Sequence, residues 1–270
     1  MYDGEYHMPK TRIMGVLNVT PDSFSDGGQF LDPENAVRRG LTMAEEGADI
    51  IDIGGESSRP GSEPVPEEEE LRRVIPVIEQ LATRISVPIS IDTYKPHVAR
   101  EAMSAGARIV NDITGLQNPE MIRIAAETNA GVVIMHMQGM PKDMQQMPVY
   151  TDVIAEISAY LSDRILAARH AGIVDIMVDP GIGFGKTLEH NLTILSHIRA
   201  FTALNCPVLI GPSRKSFIGT ITGLPMEERL EGTLAAAVLA IQGGAAIIRA
   251  HDVKEMKRAA MVADAIVAYS

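Results

Sequence analysis

The chain has 270 residues, of which 46% are hydrophobic and only 4% aromatic, with no tryptophan. That length supports one sizeable core, built from Ile, Val, Leu, Ala and Met rather than from rings. A formal net charge of −11 argues against nucleic acid and against an anionic membrane surface as partners, although a local cluster of Lys, Arg and backbone N–H groups can still bind an anion. The single cysteine, Cys206, allows no internal disulfide. This fits a reducing cytoplasm, and beside the run CPVLIG it reads as a small buried hydrophobe. The opening MYDGEYHMPK has neither the basic nor the apolar region of a secretion signal, so residues 1–10 are expected to be a peripheral segment. The most apolar stretch, 233–249, is broken by Gln242, Gly243 and Gly244 and ends in Arg249. It reads as helix, turn and strand rather than a membrane span.

In chain order, short β-branched runs alternate with longer helix-periodic segments. The strands are RIMGVLN (12–18), ADIIDIG (48–54), PISIDT (88–93), ARIVND (107–112), GVVIMHM (131–137), DIMVDP (175–180), PVLIG (207–211) and AAIIRAH (245–251). Helical periodicity falls near 33–47, 67–84, 96–105, 118–129, 151–171, 187–202, 227–242 and 253–268. The strands are almost continuously apolar, as strands covered on both faces should be. Strict alternation means parallel strands joined by helical crossovers, and eight such units match a closed (β/α)8 barrel in a single domain, 1–270. An open doubly wound sheet is the runner-up, weakened because no glycine fingerprint follows the first strand. Asp32-Pro33 supplies a cap and a first-turn proline. EEEE at 67–70 reads as a solvated helix start favoured by the helix dipole rather than as a metal site. The longest irregular stretches, 18–32, 54–66, 137–150 and 211–226, all follow strands. They therefore lie on the face where barrel enzymes place their sites. The first two, rich in Gly, Ser and Pro, suit lids that order as ligands bind, so binding of two ligands is expected to be sequential.

The stretch VDPGIGFGKT (178–187) ends like a phosphate-binding loop. The P-loop spacing requires glycine where Pro180 stands, and the dinucleotide spacing requires glycine where Lys186 stands, so both patterns fail. The polar residues at the strand ends are more telling. Asn18, Asp52, Glu56, Asp92, Asn111, Asp112, His136, Asp179, Lys215, Arg249 and His251 are expected to share one mouth. Carboxylates and amides on the third, fourth and sixth strands suit a flat heterocycle with several N–H donors, and Asp179 can pair with an amidine-like edge. Arg249 and His251, beside a helix start, suit a phosphate. Asn18 with a diphosphate can share Mg2+, a hard ion that retains waters. A strand-end Asp is a helix cap as often as it is functional, and Asp112, followed by Thr114, is set aside as a cap or turn residue. His136 in MHMQGM is either a satisfied wall residue or a ligand, and the surrounding methionines read as adaptable packing.

MGVLNVTPDSFSDGG (14–28), DIGGESSRPG (52–61), SIDTYKP (90–96), VNDITG (110–115), MHMQGMP (135–141), VDPGIGFGKT (178–187), GPSRKSFIG (211–219) and IRAHDV (248–253) together resemble the motifs of the dihydropteroate synthases, in the right order and over nearly the whole chain. Ser58 stands where Thr is usual in that family, and Met140 where Thr is common. The resemblance implies a cytoplasmic transferase of folate biosynthesis, homodimeric and Mg2+-dependent. It joins 6-hydroxymethyl-7,8-dihydropterin diphosphate to p-aminobenzoate and gives 7,8-dihydropteroate and diphosphate. It further implies a pterin held by Asp92, Asn111, Asp179 and Lys215 against Met135 and Phe184. Diphosphate would meet Asn18, Arg59, Arg249 and His251, with Asn18 also at the metal. p-Aminobenzoate would meet Phe24, Ser25, Ser58, Arg59, Phe184, Lys215 and Ser216. Asp92, Lys215, Arg249 and His251 carry the catalytic expectation: neutralise the leaving diphosphate, stabilise a cation at the departing carbon, and position a neutral arylamine. A pterin-binding methyltransferase barrel would share the pterin acids but should lack the Ser213–Ser216 segment. A silent binding barrel would leave its buried charges idle, which is costly. A Schiff-base aldolase using Lys95 or Lys215 is a remoter alternative.

Overall fold

The computed structural model describes residues 10–20, 33–59 and 61–269. Its strands are β1 (Arg12–Asn18), β2 (Ile50–Gly54), β3 (Ile89–Asp92), β4 (Ile109–Asp112), β5 (Gly131–Met135), β6 (Ile176–Asp179), β7 (Leu209–Ile210) and β8 (Ile247–Ala250). The pairings between named strands are all parallel, in the order β6-β5-β4-β3-β2-β1-β8-β7. A parallel bridge between Val178 and Val208, with Val178 N–H donating to the Pro207 carbonyl at 3.0 Å, joins β6 to β7. The sheet therefore closes into a barrel, which rules out the open doubly wound alternative.

The described helices are α1 (Pro33–Glu45), α2 (Glu67–Ala82), α3 (Pro96–Ala105), α4 (Pro119–Glu127), α5 (Val153–His170), α6 (Leu188–Ser196), α7 (Ile198–Thr202), α8 (Ser216–Thr222), α9 (Leu230–Gln242) and α10 (Val253–Val267). Their starts follow local chemistry. The Asn118 side chain accepts from Glu120 N–H, Asp152 accepts from Ile154 and Ala155, and Thr187 and His190 form a reciprocal capping box. The Asp32 cap lies outside the described residues. Helices end through glycine where the chain reverses. Gly106 has φ +120°, and a Cβ there would lie 2.6 Å from the Ala82 Cβ, so conformation and close approach both require glycine. Two readings need correction. The segment 187–202 breaks at His197 into α6 and α7, and the stretch 211–226 contains the helix α8. No helix among the described residues is long and apolar enough to cross a membrane.

Alternation along each strand builds two cores. Residues facing outward pack against the helices in one large aliphatic layer that includes Ile51, Ile53, Ile91, Val110, Ile134 and Ile248. Inward-facing Met14, Ile50, Ile109, Val133, Met177, Leu209 and Ile247 form an apolar plug inside the barrel. Two residues further along several of these strands stand Asp52, Asn111, Met135, Asp179 and Arg249. Because side chains repeat every second residue, these face the same lumen one step higher. The polar site is thus a layer laid directly on an apolar floor.

Candidate active site

A cleft at the strand ends is lined by Ser58, Asp92, Asn111, Ile113, Met135, Asp179, Ile182, Phe184, Gly211, Lys215 and Arg249. It brings together all the residues expected to hold the heterocycle. At its centre Arg249 donates from Nε to Asp52 Oδ2 and from Nη2 to Asp92 Oδ2, both at 2.6 Å. Its Nη1 makes no hydrogen bond among the described residues. Burial works against the guanidinium charge, but Asp52 and Asp92 more than offset that penalty and hold it cationic. Asp52 is fully buried and also accepts from Asn111 Nδ2 at 3.0 Å. A carboxylate can only accept, so the Asn111 amide must turn its NH2 toward Asp52, leaving its oxygen for the cleft. Asp52 therefore orients two residues of the site, a role that its position inside ADIIDIG did not suggest.

Asp92 is pushed up, to about 7, by burial; Arg249 opposes the rise and Asp52 adds to it. Burial also raises Asp179, against the Gly181 N–H, which donates to its Oδ1 at 2.7 Å, and against Lys215. Lys215 lies over the Phe184 ring, its Nζ 4.0 Å from the centroid, and makes no hydrogen bond through Nζ among the described residues. Burial, then Arg249, lowers its pKa to about 8. Phe184, Met135, Ile113 and Met144 form one buried apolar cluster, which makes a hydrophobic wall facing the acids.

The glycine-rich turn after β6 has a steric explanation. Gly181 has φ +72°, and a Cβ there would lie 1.9 Å from the His136 carbonyl; at Gly185, with φ +60°, it would lie 2.1 Å from the Gln138 carbonyl. The turn lies against the segment after β5 with no room for side chains. Lys186 is buried and donates to the Phe184 carbonyl at 2.8 Å, with His136 Nδ1 at 3.1 Å. It ties the two segments together and touches no phosphate site. Burial lowers Lys186 to about 7, while burial and the Lys186 charge lower His136 to about 3.

Other expected residues fall differently. His251 Nδ1 pairs with the Ser213 hydroxyl at 2.9 Å. Burial and the Arg249 and Arg214 charges push its pKa down to about 3, so near pH 7 it is a neutral hydrogen-bonding group rather than a cation. Asn18 ends β1, half-buried, and its carboxamide makes no hydrogen bond among the described residues. Ser58 lines the cleft, whereas Arg59 is exposed and Ser216 is an exposed first residue of α8. Phe24 and Ser25 lie outside the described residues. Three of the strand-end residues are turned away from the mouth, and Asp112 is the turn residue its sequence suggested. Asp112 accepts from Thr114 and Leu116 N–H as a turn residue. His136 faces Lys186, and Glu56 lies under the loop after β2, where it meets Lys95. The helix start at 67–70 is not wholly solvated either, because Glu70 is buried and paired with Lys95.

Three acceptors on β3, β4 and β6, an apolar ring wall, an overhanging ammonium and an adjoining cationic corner define an α/β-barrel enzyme for a flat, donor-rich heterocycle and an anion. Residues 14–251 match the model of a family described as pterin binding enzyme. A dihydropteroate synthase of Escherichia coli strain K12 is 51% identical over 255 residues, covering 94% of this chain and 90% of its own. The structure of Yersinia pestis dihydropteroate synthase in a sulfonamide drug complex is similar with a TM-score of 0.90 at 45% identity, over 95% of this chain and 94% of that one. That of Xanthomonas albilineans dihydropteroate synthase with 4-aminobenzoic acid gives 0.90 at 48% identity, over 95% and 93%. The chain belongs to the dihydropteroate synthase family of pterin-binding enzymes.

The position of Lys215 sets a pH dependence. With its pKa near 8, the ammonium is charged below that pH and loses its proton as pH rises through it. Charge-assisted donation is the stronger kind. Pterin affinity measured by calorimetry should therefore fall across about pH 8, and the fall should disappear in Lys215→Met. A profile that keeps its limb in Lys215→Met would assign the limb to another group.

Proposed function

We infer that this cleft carries out the reaction of its family, using the residues that line it. The pterin ring sits between Met135 and Phe184, and its N–H groups donate to Asp92, Asn111 and Asp179. The observation that carries this reading is the convergence of those three acceptors opposite Lys215 in one buried cleft. Lys215 donates to the ring from above. Arg249, with Nη1 left over from its two carboxylate bonds, and His251, through Nε2, take the diphosphate, with Arg59 approaching from the loop after β2. p-Aminobenzoate then lies over Phe184 and Lys215 near Ser58 and Ser216, with Phe24 and Ser25 of the preceding loop completing its pocket.

In the reaction the bond between the pterin methylene carbon and the diphosphate oxygen breaks, and its electron pair leaves with the diphosphate. The arylamine nitrogen then forms the new bond to that carbon and loses a proton. Arg249 disperses the charge of the leaving group. Asp92 faces the cation that develops on the dihydropterin, and a carboxylate desolvated in this way responds strongly to positive charge beside it. The arylamine is neutral and weakly nucleophilic, so its contacts serve to orient it.

Mg2+ belongs to the same reading. Among the described residues no group of three or more His, Cys, Asp or Glu could hold a metal ion. The carboxamide oxygen of Asn18, which makes no hydrogen bond among the described residues, fits an ion held mainly by the substrate's own oxygens and by water. The chemistry it would supply is charge neutralisation on the leaving diphosphate. A homodimer is proposed as well. Leu192, Ile221 and Leu239 are exposed around an apolar groove between α6, α8 and α9, which a second copy of the chain would cover. The unpaired Cys206 supports placing the enzyme in a reducing cytoplasm.

Mixing pterin diphosphate and p-aminobenzoate with the protein and Mg2+ should release diphosphate and 7,8-dihydropteroate in equal amounts. Asp179→Asn keeps the shape but replaces an acceptor with a donor, so pterin affinity should fall by about 2–4 kcal/mol in calorimetry. Unchanged pterin binding in that variant would remove Asp179 from the site.

A further inference from the structure

Outside the cleft, beneath the loop that joins β2 to α2, lies an ionic cluster to which the reaction assigns no role. The Lys95 ammonium, one residue before α3, donates to Glu56 Oε2 at 2.6 Å, to Glu70 Oε2 at 2.5 Å and to the Val65 carbonyl at 2.6 Å. Glu56 Oε2 also accepts the Val65 N–H at 2.8 Å, and Oε1 accepts the Tyr94 hydroxyl at 2.9 Å. Residues 56 and 65, at the two ends of the loop, are thus bonded to each other and both to Lys95. The approach to Glu56 is fixed too. Arg73 donates to the Gly55 carbonyl at 2.8 Å, and a Cβ at Gly55 would lie 2.8 Å from Val74 Cγ1 and 2.9 Å from Glu70 Cγ.

Between these fixed ends run residues 57–64, which include Ser58 at the cleft and the exposed Arg59. The crown carries bonds of its own: the Ser62 hydroxyl donates to the Ser57 carbonyl at 2.5 Å, and Gly61 N–H donates to the Pro141 carbonyl at 2.9 Å. Burial raises Glu70 against the pull of Lys95. Burial also works against the Lys95 charge, but its bonds to Glu56 and Glu70 win and leave it firmly protonated. That removes Lys95 as a Schiff-base nucleophile. Buried ion clusters are weak sources of net stability compared with apolar packing. What this one fixes is geometry, because a single ammonium holds two loop ends and α2 in one arrangement.

We propose that Glu56, Lys95 and Glu70 are positioning residues for the second substrate. They set the span and height of residues 57–64, so that Ser58 and Arg59 meet p-aminobenzoate over Phe184. The proposal rests on the assignment of Ser58 and Arg59 to that substrate under Proposed function. The pterin acceptors Asp92, Asn111 and Asp179 make no hydrogen bond to Glu56, Lys95 or Glu70, and Asp92 feels Glu70 only through its charge, so the effect of substituting Glu56 should fall on one substrate and spare the other.

The test is a KM comparison on the enzyme. Lys95→Met strands two buried carboxylates and lowers stability, so the isosteric Glu56→Gln is the decisive variant. A misplacement of about 1 Å can cost about a hundredfold. Glu56→Gln should therefore raise KM for p-aminobenzoate by about tenfold or more, while calorimetric affinity for the pterin stays within about twofold. Equal weakening toward both ligands, or no change in either KM, would overturn the positioning role. Failure of the wild-type protein to bind the pterin would instead overturn the reading of the cleft itself.

Discussion

The site depends on one guanidinium shared between two carboxylates. Arg249, from the last strand, reaches across the lumen to Asp52 on β2 and Asp92 on β3, both at 2.6 Å. Each of the three groups would be costly if buried alone, and together they offset one another's charge. The arrangement fixes the Asp92 carboxylate at the edge of the cleft, keeps Arg249 cationic and leaves its Nη1 without a hydrogen bond among the described residues. Through Asp52 it also fixes the orientation of the Asn111 amide. One buried carboxylate thereby sets the hydrogen-bonding pattern that two other residues, Arg249 and Asn111, present to a ligand.

That arrangement is possible because of the floor beneath it. The plug of Met14, Ile50, Val133, Met177 and their neighbours excludes solvent from below, so the layer above keeps its strong electrostatics. The same low polarity pushes Asp92 up and Lys215 down, which lets each respond to the charge of a substrate. A chain with net charge −11 can still present a cationic corner, because Arg249 and Lys215 are concentrated where the carboxylates are already engaged. The loop after β2 is fixed by a second, separate ion cluster, so the deep pocket and its rim have independent supports.

Much of this was legible in the sequence. Near-continuous apolar strands in alternation with helices gave the barrel, and the position of Asp92, Asn111, Asp179 and Arg249 at strand ends put them in one mouth. Taking strand-end polar residues without regard to face also added His136, which adjoins the inward-facing Met135 and so points outward; Asp112, beside the inward-facing Asn111, is the turn residue it was read to be. Asp52 was seen as a strand-end acid, yet its work as an organiser depends on partners 59 and 197 residues away, which no local pattern reveals. Glu70 looked like part of a solvated acidic helix start because its partner Lys95 lies 25 residues further on. The helix α8 was missed because SFIGTIT is rich in β-branched residues and too short to show a helical period. The neutrality of His251 follows from burial beside Arg249 and Arg214, which only the packed structure supplies.

Asp52 is covered by the cleft rather than exposed in it, so its influence on ligand binding can only pass through Arg249, Asn111 and the local field. Calorimetric titration of a pterin diphosphate into Asp52→Asn therefore tests the account most directly. The substitution keeps the side-chain shape and removes the charge that holds Arg249. Affinity should fall by about tenfold or more, roughly 1.4 kcal/mol, while the cooperative unfolding transition persists. Affinity equal to that of the wild type would show that the shared guanidinium does not organise the site.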